Sequence, residues 1–331
     1  MSESPRPGFF NSIFHWVVPV NDDQPVGNLS MKVDWVRAIP FILLHVGCLA
    51  VFLIPNPVSW LAIVIAVGLY ALRVFTLTGF YHRYFSHRSF KTFRIVQFIF
   101  AVIGCSSVQR GPLWWAAHHR HHHVHSDDPE DLHSPKQQGI LFSHTGWFLT
   151  PRALPTRFKL IPDFAKYPEL RMLDRWDLLV PVIMGVLLFA FGELVGYIDP
   201  EVSGLQLLIW GLCISTVAVY QVTYLVNSAT HLIGTRRYET KDDSRNSLII
   251  ALLTFGEGWH NNHHHYPNST RQGFFWWEID ITYYTLLFMS ALGLVWDLRA
   301  VPQRILEPKK KPEEVSATVP ALAEAQPATQ Q

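Results

Sequence analysis

Four apolar stretches constrain the fold of this chain more than any other feature. Each is close to the roughly 20 residues that an α-helix needs to cross a bilayer. They cover residues 39–54, 58–80, 178–198 and 205–226. Only 16% of the 331 residues are charged, whereas about a quarter are charged in a soluble globular domain. The sequence therefore predicts an all-α integral membrane protein with four transmembrane helices.

The links between these stretches predict two antiparallel helical hairpins. Only residues 55–57 separate the first pair and residues 199–204 the second, which is too short for any other connection. Neither link contains Lys or Arg, whereas the segment between the hairpins and both flanking segments contain many. By the positive-inside rule, we expect both termini and the central segment to be cytoplasmic.

Three shorter apolar segments, residues 95–108, 247–255 and 274–294, predict a helical cap on the cytoplasmic side. The first is too short to cross the bilayer, and a crossing there would separate His87 from His119. The third is interrupted by Glu278 and Asp280, which favours an amphipathic helix lying against the membrane. We therefore expect a cytoplasmic N-terminal segment over residues 1–38, a membrane domain over residues 39–306 and a disordered tail over residues 307–331.

Histidine is the anomaly in the composition, with 17 residues that are mostly clustered. Residues three or four apart share one face of a helix, so each cluster can direct several imidazoles to one point. Imidazole nitrogen suits Fe, Zn, Cu or Ni, and nine such ligands are too many for one ion and suit two. The candidate ligands are His82, His87, His119, His122, His123, His231, His260, His263 and His264.

Other polar residues near the clusters are candidates for supporting roles, because a ligating imidazole needs an acceptor for its second N–H. The carboxylates are Asp127, Asp128, Glu130, Asp131 and Glu257, for which a solvated loop is the alternative. The remaining histidines near the clusters are expected to support them or lie on the surface: His118, His121, His125, His133, His144 and His265. We assign no role to His15 and His45.

These motifs resemble those of the membrane fatty acid desaturases, and within them the stearoyl-CoA (acyl-CoA) Δ9-desaturase group. The resemblance covers about residues 78–267. It rests on TGFYHRYFSHRSFK, on HHRHHHVHSDDPEDLHSP followed by FSHTGWFL, on NSATH and on GEGWHNNHHHYP. The histidine clusters alone would also fit alkane and carotenoid hydroxylases, whereas NSATH and GEGWHN are similar to the Δ9 group in particular.

The resemblance implies an O₂-dependent enzyme that introduces a cis double bond, at Δ9, into a saturated acyl chain. It implies that the nine histidines bind two non-haem irons and that Asn227 holds one of them through water. It also implies a kinked acyl tunnel whose depth a bulky residue limits. Tyr70 lies at that position, and packing alone is the alternative for it.

Two departures from the pattern leave the acyl head group open. Ala117 and His118 stand where the animal enzymes have Arg-Asp, and Pro151 and Arg152 stand where they have a basic pair. Those positions are expected to contact the coenzyme A nucleotide, so acyl-CoA, acyl carrier protein and membrane glycerolipid all remain candidates. The residues after Leu306 are too few for a fused carrier domain, so we expect a separate ferredoxin or cytochrome b5 type protein to supply electrons.

Two other functions remain alternatives. A di-iron hydroxylase of the same superfamily would act on alkanes or carotenoids. A membrane metal transporter would need ionisable residues inside several spans, but only Arg73 and Glu193 are found there. The net charge of +1 excludes a general basic field for nucleic acid. The compact chain resembles bacterial enzymes, so we expect a multi-pass protein of the bacterial inner membrane.

Overall fold

The computed structural model describes residues 29–307, and this part of the chain is almost entirely helical. Four of its helices are long and apolar enough to cross a membrane: Trp35–Leu53, Trp60–Ser86, Leu179–Gly196 and Gly204–His231. The predictions of an all-α class and of four candidate spans are therefore confirmed. His15, most of the expected N-terminal segment and nearly all of the expected tail lie outside the described residues.

The helices follow one another with short connections. In chain order they are α1 (Trp35–Leu49), α2 (Trp60–Phe75), α3 (Arg94–Cys105), α4 (Pro112–His125), α5 (Pro135–Gln138), α6 (Pro162–Ala165), α7 (Pro168–Arg175), α8 (Leu179–Gly196), α9 (Gly204–Leu208), α10 (Ser215–Ser228), α11 (Leu248–Leu253), α12 (His260–His265), α13 (Ile281–Ala291) and α14 (Gln303–Leu306). The 3-10 and π-helical segments are Ala50–Leu53, Thr76–Ser86, Phe142–Gly146, Trp147–Leu149, Pro151–Ala153, Phe158–Leu160, Ile209–Ile214 and Ala229–His231. Two short antiparallel strands, β1 (Lys91–Thr92) and β2 (Val295–Trp296), pair Lys91 with Trp296.

The second candidate span runs further than the hydropathy of the sequence indicates. Ser59 caps α2 by accepting a hydrogen bond from the backbone N–H of Ala62, and the helix continues as a π-helix to Ser86. The apolar stretch ends at residue 80, but every residue of the π-helical segment is buried by protein. Because these turns face protein and not lipid, they need no apolar sequence. The first histidine cluster therefore lies on the last turns of a span.

The fourth candidate span also extends beyond its apolar stretch, from residue 226 to His231. It packs closely against the third. A Cβ atom on Gly192 would lie 2.6 Å from the Cα atom of Gly204 and 2.6 Å from the carbonyl oxygen of Ser203. Glycine at such a contact allows the backbones of two membrane helices to approach each other.

A buried arginine links the spans. Arg73 is fully buried in the middle of the second candidate span. Its guanidinium donates to the hydroxyls of Ser106 at 3.2 Å, Ser215 at 3.1 Å and Thr216 at 3.1 Å. A charged group in this setting needs acceptors within the protein. Through these hydrogen bonds, Arg73 connects α2 to the end of α3 and to the start of α10.

The cap helices differ from the sequence expectation in one place. We expected a helix over residues 274–294, but α13 covers only Ile281–Ala291. Asp280 begins the helix by accepting the backbone N–H of Tyr283, and its carboxylate also pairs with Arg83 at 2.9 Å. Glu278 and Asp280 are buried and hold residues 274–280 in an irregular conformation. Acidic residues that look like the polar face of a surface helix are here part of the interior.

Candidate metal centre

The nine histidines that the sequence singles out gather in two neighbouring groups. In each group the ligand nitrogens all lie within 4.8 Å of one another. The first group contains His82, His87, His119, His123 and His263, and the second contains His122, His231, His260 and His264. No metal is part of the structure, but each group has enough donors for one ion.

Helix α4 contributes to both groups. His119 and His123 are four residues apart, which is about 40° around a helix, and both belong to the five-histidine group. His122 lies about 60° from His119 in the opposite direction and belongs to the four-histidine group. We expected the histidines of each cluster to converge on one point. The cluster on α4 is instead divided between the two groups, because its three side chains point to two sides of the helix. The two groups are therefore adjacent.

Helix α12 is divided in the same way. His260 and His264, four residues apart, belong to the four-histidine group, and His263 belongs to the other. The ends of two candidate spans add further ligands, with His82 on the π-helical end of the second and His231 on the last turn of the fourth. Spans and cap helices thus meet at one place.

The distances between ring nitrogens are those expected around a shared ion. The Nε2–Nε2 separations are 3.0 Å for His82 and His263, 2.8 Å for His87 and His119, 2.9 Å for His119 and His123, 2.9 Å for His123 and His263, and 3.1 Å for His231 and His260. Two nitrogens that bind one ion at about 2.1 Å and at right angles are about 3.0 Å apart. In addition, Nε2 of His264 is buried and has no hydrogen-bond partner among the described residues. The donor set and its spacing fit two transition-metal ions.

Carboxylates orient four of these rings through the second nitrogen. Nδ1 of His122 is 3.0 Å from Asp131, Nδ1 of His231 is 2.9 Å from Asp127, and Nδ1 of His264 is 2.6 Å from Asp242. Nδ1 of His82 contacts Glu257. A neutral imidazole that donates through Nδ1 leaves the lone pair of Nε2 for a metal. The carboxylates therefore fix both the tautomer and the direction of the rings.

Three of the five carboxylates proposed from the sequence have this role, namely Asp127, Asp131 and Glu257. Asp128 and Glu130 are exposed and hydrogen-bond to none of the nine rings, as expected for a solvated loop. Sequence reasoning missed Asp242, which lies in the polar loop between His231 and the histidines of residues 260–265. An acidic residue between two ligand segments was the signal that could have found it.

The electrostatics favour the neutral form of three of the imidazoles and the ionised form of two of the carboxylates. Burial and the neighbouring imidazoles hold the pKa of His119, His123 and His263 well below the usual value. Burial alone would raise the pKa of Asp127 and Asp242, but hydrogen bonds from His231 and His264 lower it below the usual range. Neutral imidazole beside ionised carboxylate is the state in which histidine binds a metal.

A cavity of about 190 Å³ adjoins the histidine groups. Its wall includes four of the nine histidines, the predicted residue Asn227 and several aromatic side chains, together with Arg37 and Arg110. Gln109 also lines it and donates a hydrogen bond to Thr223 at 2.8 Å. The cavity is mostly apolar, as expected for a site that holds a hydrocarbon chain.

Tyr70, the residue expected to limit the depth of a tunnel, does not line this cavity. Its hydroxyl donates to the carbonyl oxygen of Leu253 at 2.6 Å, and its ring packs edge-on against Phe255. Thr254, between these two residues, does line the cavity. Tyr70 is therefore one residue layer away from the cavity wall.

Residues 58–300 match the family model described as fatty acid desaturase. The chain is 35% identical over 82% of its length to the sn-1 stearoyl-lipid 9-desaturase of Anabaena variabilis, covering 96% of that protein. It is 35% identical over 86% of its length to an acyl-CoA 5-desaturase of Anemone leveillei, covering 88% of that protein. It is 34% identical over 77% of its length to the hex-5-enoyl-[acyl-carrier protein] acetylenase of Moorena producens, covering 82% of that protein.

Proposed function

The chain belongs to the fatty acid desaturase family, and we propose that it is an oxidoreductase that introduces a cis double bond, at Δ9, into a saturated acyl chain. The reaction would use O₂ and two non-haem irons held by the nine histidines, with Asn227 beside one of them. The observation that supports this most strongly is the division of nine imidazoles, five of them buried, into two adjacent groups beside an apolar cavity.

The chemistry of the substrate explains why such a site is needed. A methylene in the middle of an acyl chain has neither an acidic proton nor an electrophilic carbon, so acid–base and nucleophilic catalysis have nothing to act on. A bound iron pair supplies the O₂-dependent oxidation that such a carbon requires. The residues of this chain hold the rings in place and keep the site away from bulk water.

The position of the double bond must come from the shape of the cavity, because a methylene offers no polar group to recognise. His82, His119, His122 and His260 line the same cavity as the aromatic side chains that would hold the chain. A stearoyl-lipid 9-desaturase among the similar proteins supports Δ9. Tyr70 would limit the depth of the tunnel through its contact with the segment that carries Thr254.

Membrane placement follows from the same proposal. Residues 39–306 would form the membrane domain, with two helical hairpins and a cytoplasmic cap that contains the di-metal site. Residues 1–38 would be a cytoplasmic segment. Both termini would face the cytoplasm of a bacterial inner membrane, and a separate ferredoxin or cytochrome b5 type protein would supply electrons. The absence of Lys and Arg from the links at residues 55–57 and 199–204 supports this orientation.

The test combines product and metal analysis. The chain is expressed in a bacterial host that lacks its own desaturase, and fatty acids are analysed by gas chromatography with mass spectrometry. We expect a new cis-Δ9 monoene and two irons per purified chain. Hydroxylated products without a new monoene would favour the hydroxylase alternative. Loosely bound zinc without O₂ uptake would favour the transporter.

A matched pair of variants connects the histidines to the reaction. His231→Ala removes one of four ligands, so we expect the second iron and the activity to be lost while the protein remains in the membrane. His125→Ala, on α4 but outside both groups, is the control and should keep iron and activity. Full iron content and turnover in His231→Ala would contradict the proposal.

A further inference from the structure

The cavity has a polar wall that the proposed reaction does not use. Arg110, two residues before α4, and Trp114 and His118 on α4 follow one another at intervals of four residues, and all three line the cavity. The guanidinium carbon of Arg110 is 5.7 Å from the centre of the Trp114 ring, which is 4.4 Å from the centre of the His118 ring. Trp147 stacks on Trp114 at 5.8 Å.

Several buried polar atoms on this wall have no hydrogen-bond partner among the described residues. They are both ring nitrogens of His118 and the indole nitrogen of Trp147. His118 is only 5% exposed and Trp147 only 7%. A buried donor without a partner costs about 1–3 kcal/mol. Indole and guanidinium groups can only donate hydrogen bonds. A ligand rich in acceptor atoms would therefore satisfy these donors if it occupied the cavity.

The charge at this wall is positive. Arg37 has Asp34 at 3.2 Å and Arg110 has Asp177 at 3.4 Å, and neither carboxylate lines the cavity. The side chain of Arg37 is only 6% exposed. Each arginine thus has a carboxylate partner, but only the arginines contribute to the cavity wall.

Two further arginines add to this charge. Arg152 and Arg157 are close enough to influence each other, and Arg157 also acts on His118. Neither forms an ion pair within residues 29–307, and Nε of each is buried without a hydrogen-bond partner. Two arginines without an ion-pair partner among the described residues are therefore near His118, although neither lines the cavity itself. An anion that entered the cavity would be stabilised by them.

The backbone at Arg110 is strained. Val108 has a φ of 56° and Arg110 a φ of 68°, in the left-handed region that β-branched residues such as valine rarely adopt. The hydroxyl of Tyr220 donates to the carbonyl oxygen of Val108 at 2.8 Å and holds this turn. Strain of this kind costs about 1–3 kcal/mol and persists where the surrounding structure enforces it. Here it places Gln109 and Arg110 in the cavity wall.

We propose that Arg37, Arg110, His118 and Trp147, supported by Arg152 and Arg157, bind the ester carbonyl and the phosphate of a phospholipid whose acyl chain enters the cavity. We call these six residues the head-group wall. The inference rests on the proposed function and deepens it by naming the head group. The rings of His118 and Trp147 can donate to a carbonyl oxygen, and the neighbouring guanidinium groups can bind an anion. The ligand should therefore carry a carbonyl and an anionic group close together.

A phospholipid has this arrangement, because only the glycerol separates its phosphate from the ester. In an acyl-CoA the whole pantetheine arm separates the phosphates from the thioester. Arg37 also lies in the first turn of the first candidate span, at the level where lipid phosphates are found. His118, at a position that the sequence indicates for a coenzyme A contact, is instead inside the cavity.

The test measures lipid binding and needs no turnover. Purified full-length protein in detergent is mixed with 1-stearoyl-2-oleoyl-phosphatidylglycerol, with stearoyl-CoA or with monostearoylglycerol, and bound lipid is counted by native mass spectrometry. Charge-assisted hydrogen bonds contribute about 1.5–3 kcal/mol, so Arg110→Gln and Arg157→Gln should each weaken phosphatidylglycerol binding about tenfold or more. Their binding of monostearoylglycerol should not change. His118→Phe keeps the ring stack but should weaken both ester lipids.

The control is Arg94→Gln, which removes an exposed guanidinium that pairs with Glu169 outside the cavity and should bind like the wild type. Tighter binding of stearoyl-CoA than of phosphatidylglycerol would overturn the proposal. So would unchanged phosphatidylglycerol binding in both arginine variants. If the wall binds phospholipid but no double bond is formed in cells, the proposed function fails and this inference stands.

Discussion

At the scale of single residues, the histidine groups depend on carboxylates that hold the second ring nitrogen. Asp242 is the clearest case, because its 2.6 Å contact with Nδ1 of His264 leaves Nε2 of that ring without a partner in the described part of the chain. Its carboxylate also accepts the backbone N–H of Ser244 at 3.1 Å, which fixes the loop. The orientation of the His264 ring is therefore determined by Asp242, which is not itself a candidate metal ligand.

Asp242→Asn should weaken iron binding about tenfold or more, because partners of ligating histidines typically change metal affinity 10–100-fold. The measurement is iron retained by the purified protein in competition with a chelator. Asp243→Asn is the matched control, since that neighbouring side chain pairs with Lys136 at the surface. Equal iron retention in the two variants would contradict a positioning role for Asp242.

Tyr70 gives a second residue-scale prediction. Tyr70→Ala removes the ring that packs on Phe255 and the hydrogen bond to Leu253, next to Thr254 in the cavity wall. If this layer closes the acyl tunnel, the variant should favour longer acyl chains, which gas chromatography of the products would show. An unchanged chain-length profile would leave Tyr70 with a packing role only.

The sequence predicts individual ligands better than their grouping. Spacing on a helix was enough to select His119, His122 and His123 as candidate ligands, because a helix determines which residues share a face. It could not assign His122 to a different group, since that depends on where α10 and α12 end in space. The sequence marks Asp242 only as an acidic residue between two histidine segments, and its contact with His264 depends on the tertiary fold that brings these segments together.

At the scale of elements, hydropathy located the four candidate spans but not their ends. The second span continues to Ser86 because its last turns are buried by protein, where Arg83 pairs with Glu257 and Asp280. Hydropathy identifies helical turns that face lipid. It therefore underestimates the length of a helix whose last turns are surrounded by protein. Burial by protein also explains the difference at residues 274–280. Their acidic side chains suggest a surface helix, but Glu278 and Asp280 are buried and the segment is irregular.

The contact between the third and fourth spans predicts a specific defect. Gly192→Ala would place its Cβ 2.6 Å from the backbone of Gly204, and such overpacking costs about 1–3 kcal/mol. We expect a lower unfolding temperature in detergent. Gly68→Ala is the matched control, because a Cβ there meets nothing within 4 Å. Equal unfolding temperatures in the two variants would show that the close contact is absent.

Asp174 links the stability of α4 to pH. Its carboxylate accepts the backbone N–H of Trp114 at 2.8 Å near the start of that helix, and burial raises its pKa to about 6. A carboxyl whose pKa is raised on folding adds stability below the unfolded pKa of about 3.9, and this stability is lost as the pH rises through 6. Folding therefore shifts the protonation equilibrium of Asp174 toward the protonated form, which predominates in the folded protein below about pH 6.

Asp174→Asn carries no titrating proton at this position. The unfolding free energy of the wild type, relative to this variant, should therefore fall by up to roughly 3 kcal/mol between pH 4 and pH 7. Thermal unfolding in detergent across this range measures it. A difference that stays constant or grows with pH would contradict the raised pKa.

At the scale of the whole molecule, the histidines impose a topology. His82 lies at the end of the second span and His231 at the end of the fourth, yet their groups adjoin, so these two ends lie on the same side. His87 and His119, on either side of α3, have Nε2 atoms 2.8 Å apart, so α3 does not carry the chain across. The sequence alone predicts the same path for α3, because a crossing at this helix would separate His87 from His119.

This geometry predicts which loops face the cytoplasm. In a variant with Cys48, Cys105 and Cys213 replaced by serine, single cysteines would be introduced at four exposed positions: Val58, Lys136, Glu201 and Lys241. The loops at Val58 and Glu201 lie at the span ends away from the histidines, and those at Lys136 and Lys241 lie beside them. In intact spheroplasts, an impermeant maleimide should label only Val58→Cys and Glu201→Cys, and the other two should react after permeabilisation. Labelling of Lys136→Cys from outside would reverse the orientation, and the histidine site could not then receive electrons from a cytoplasmic carrier.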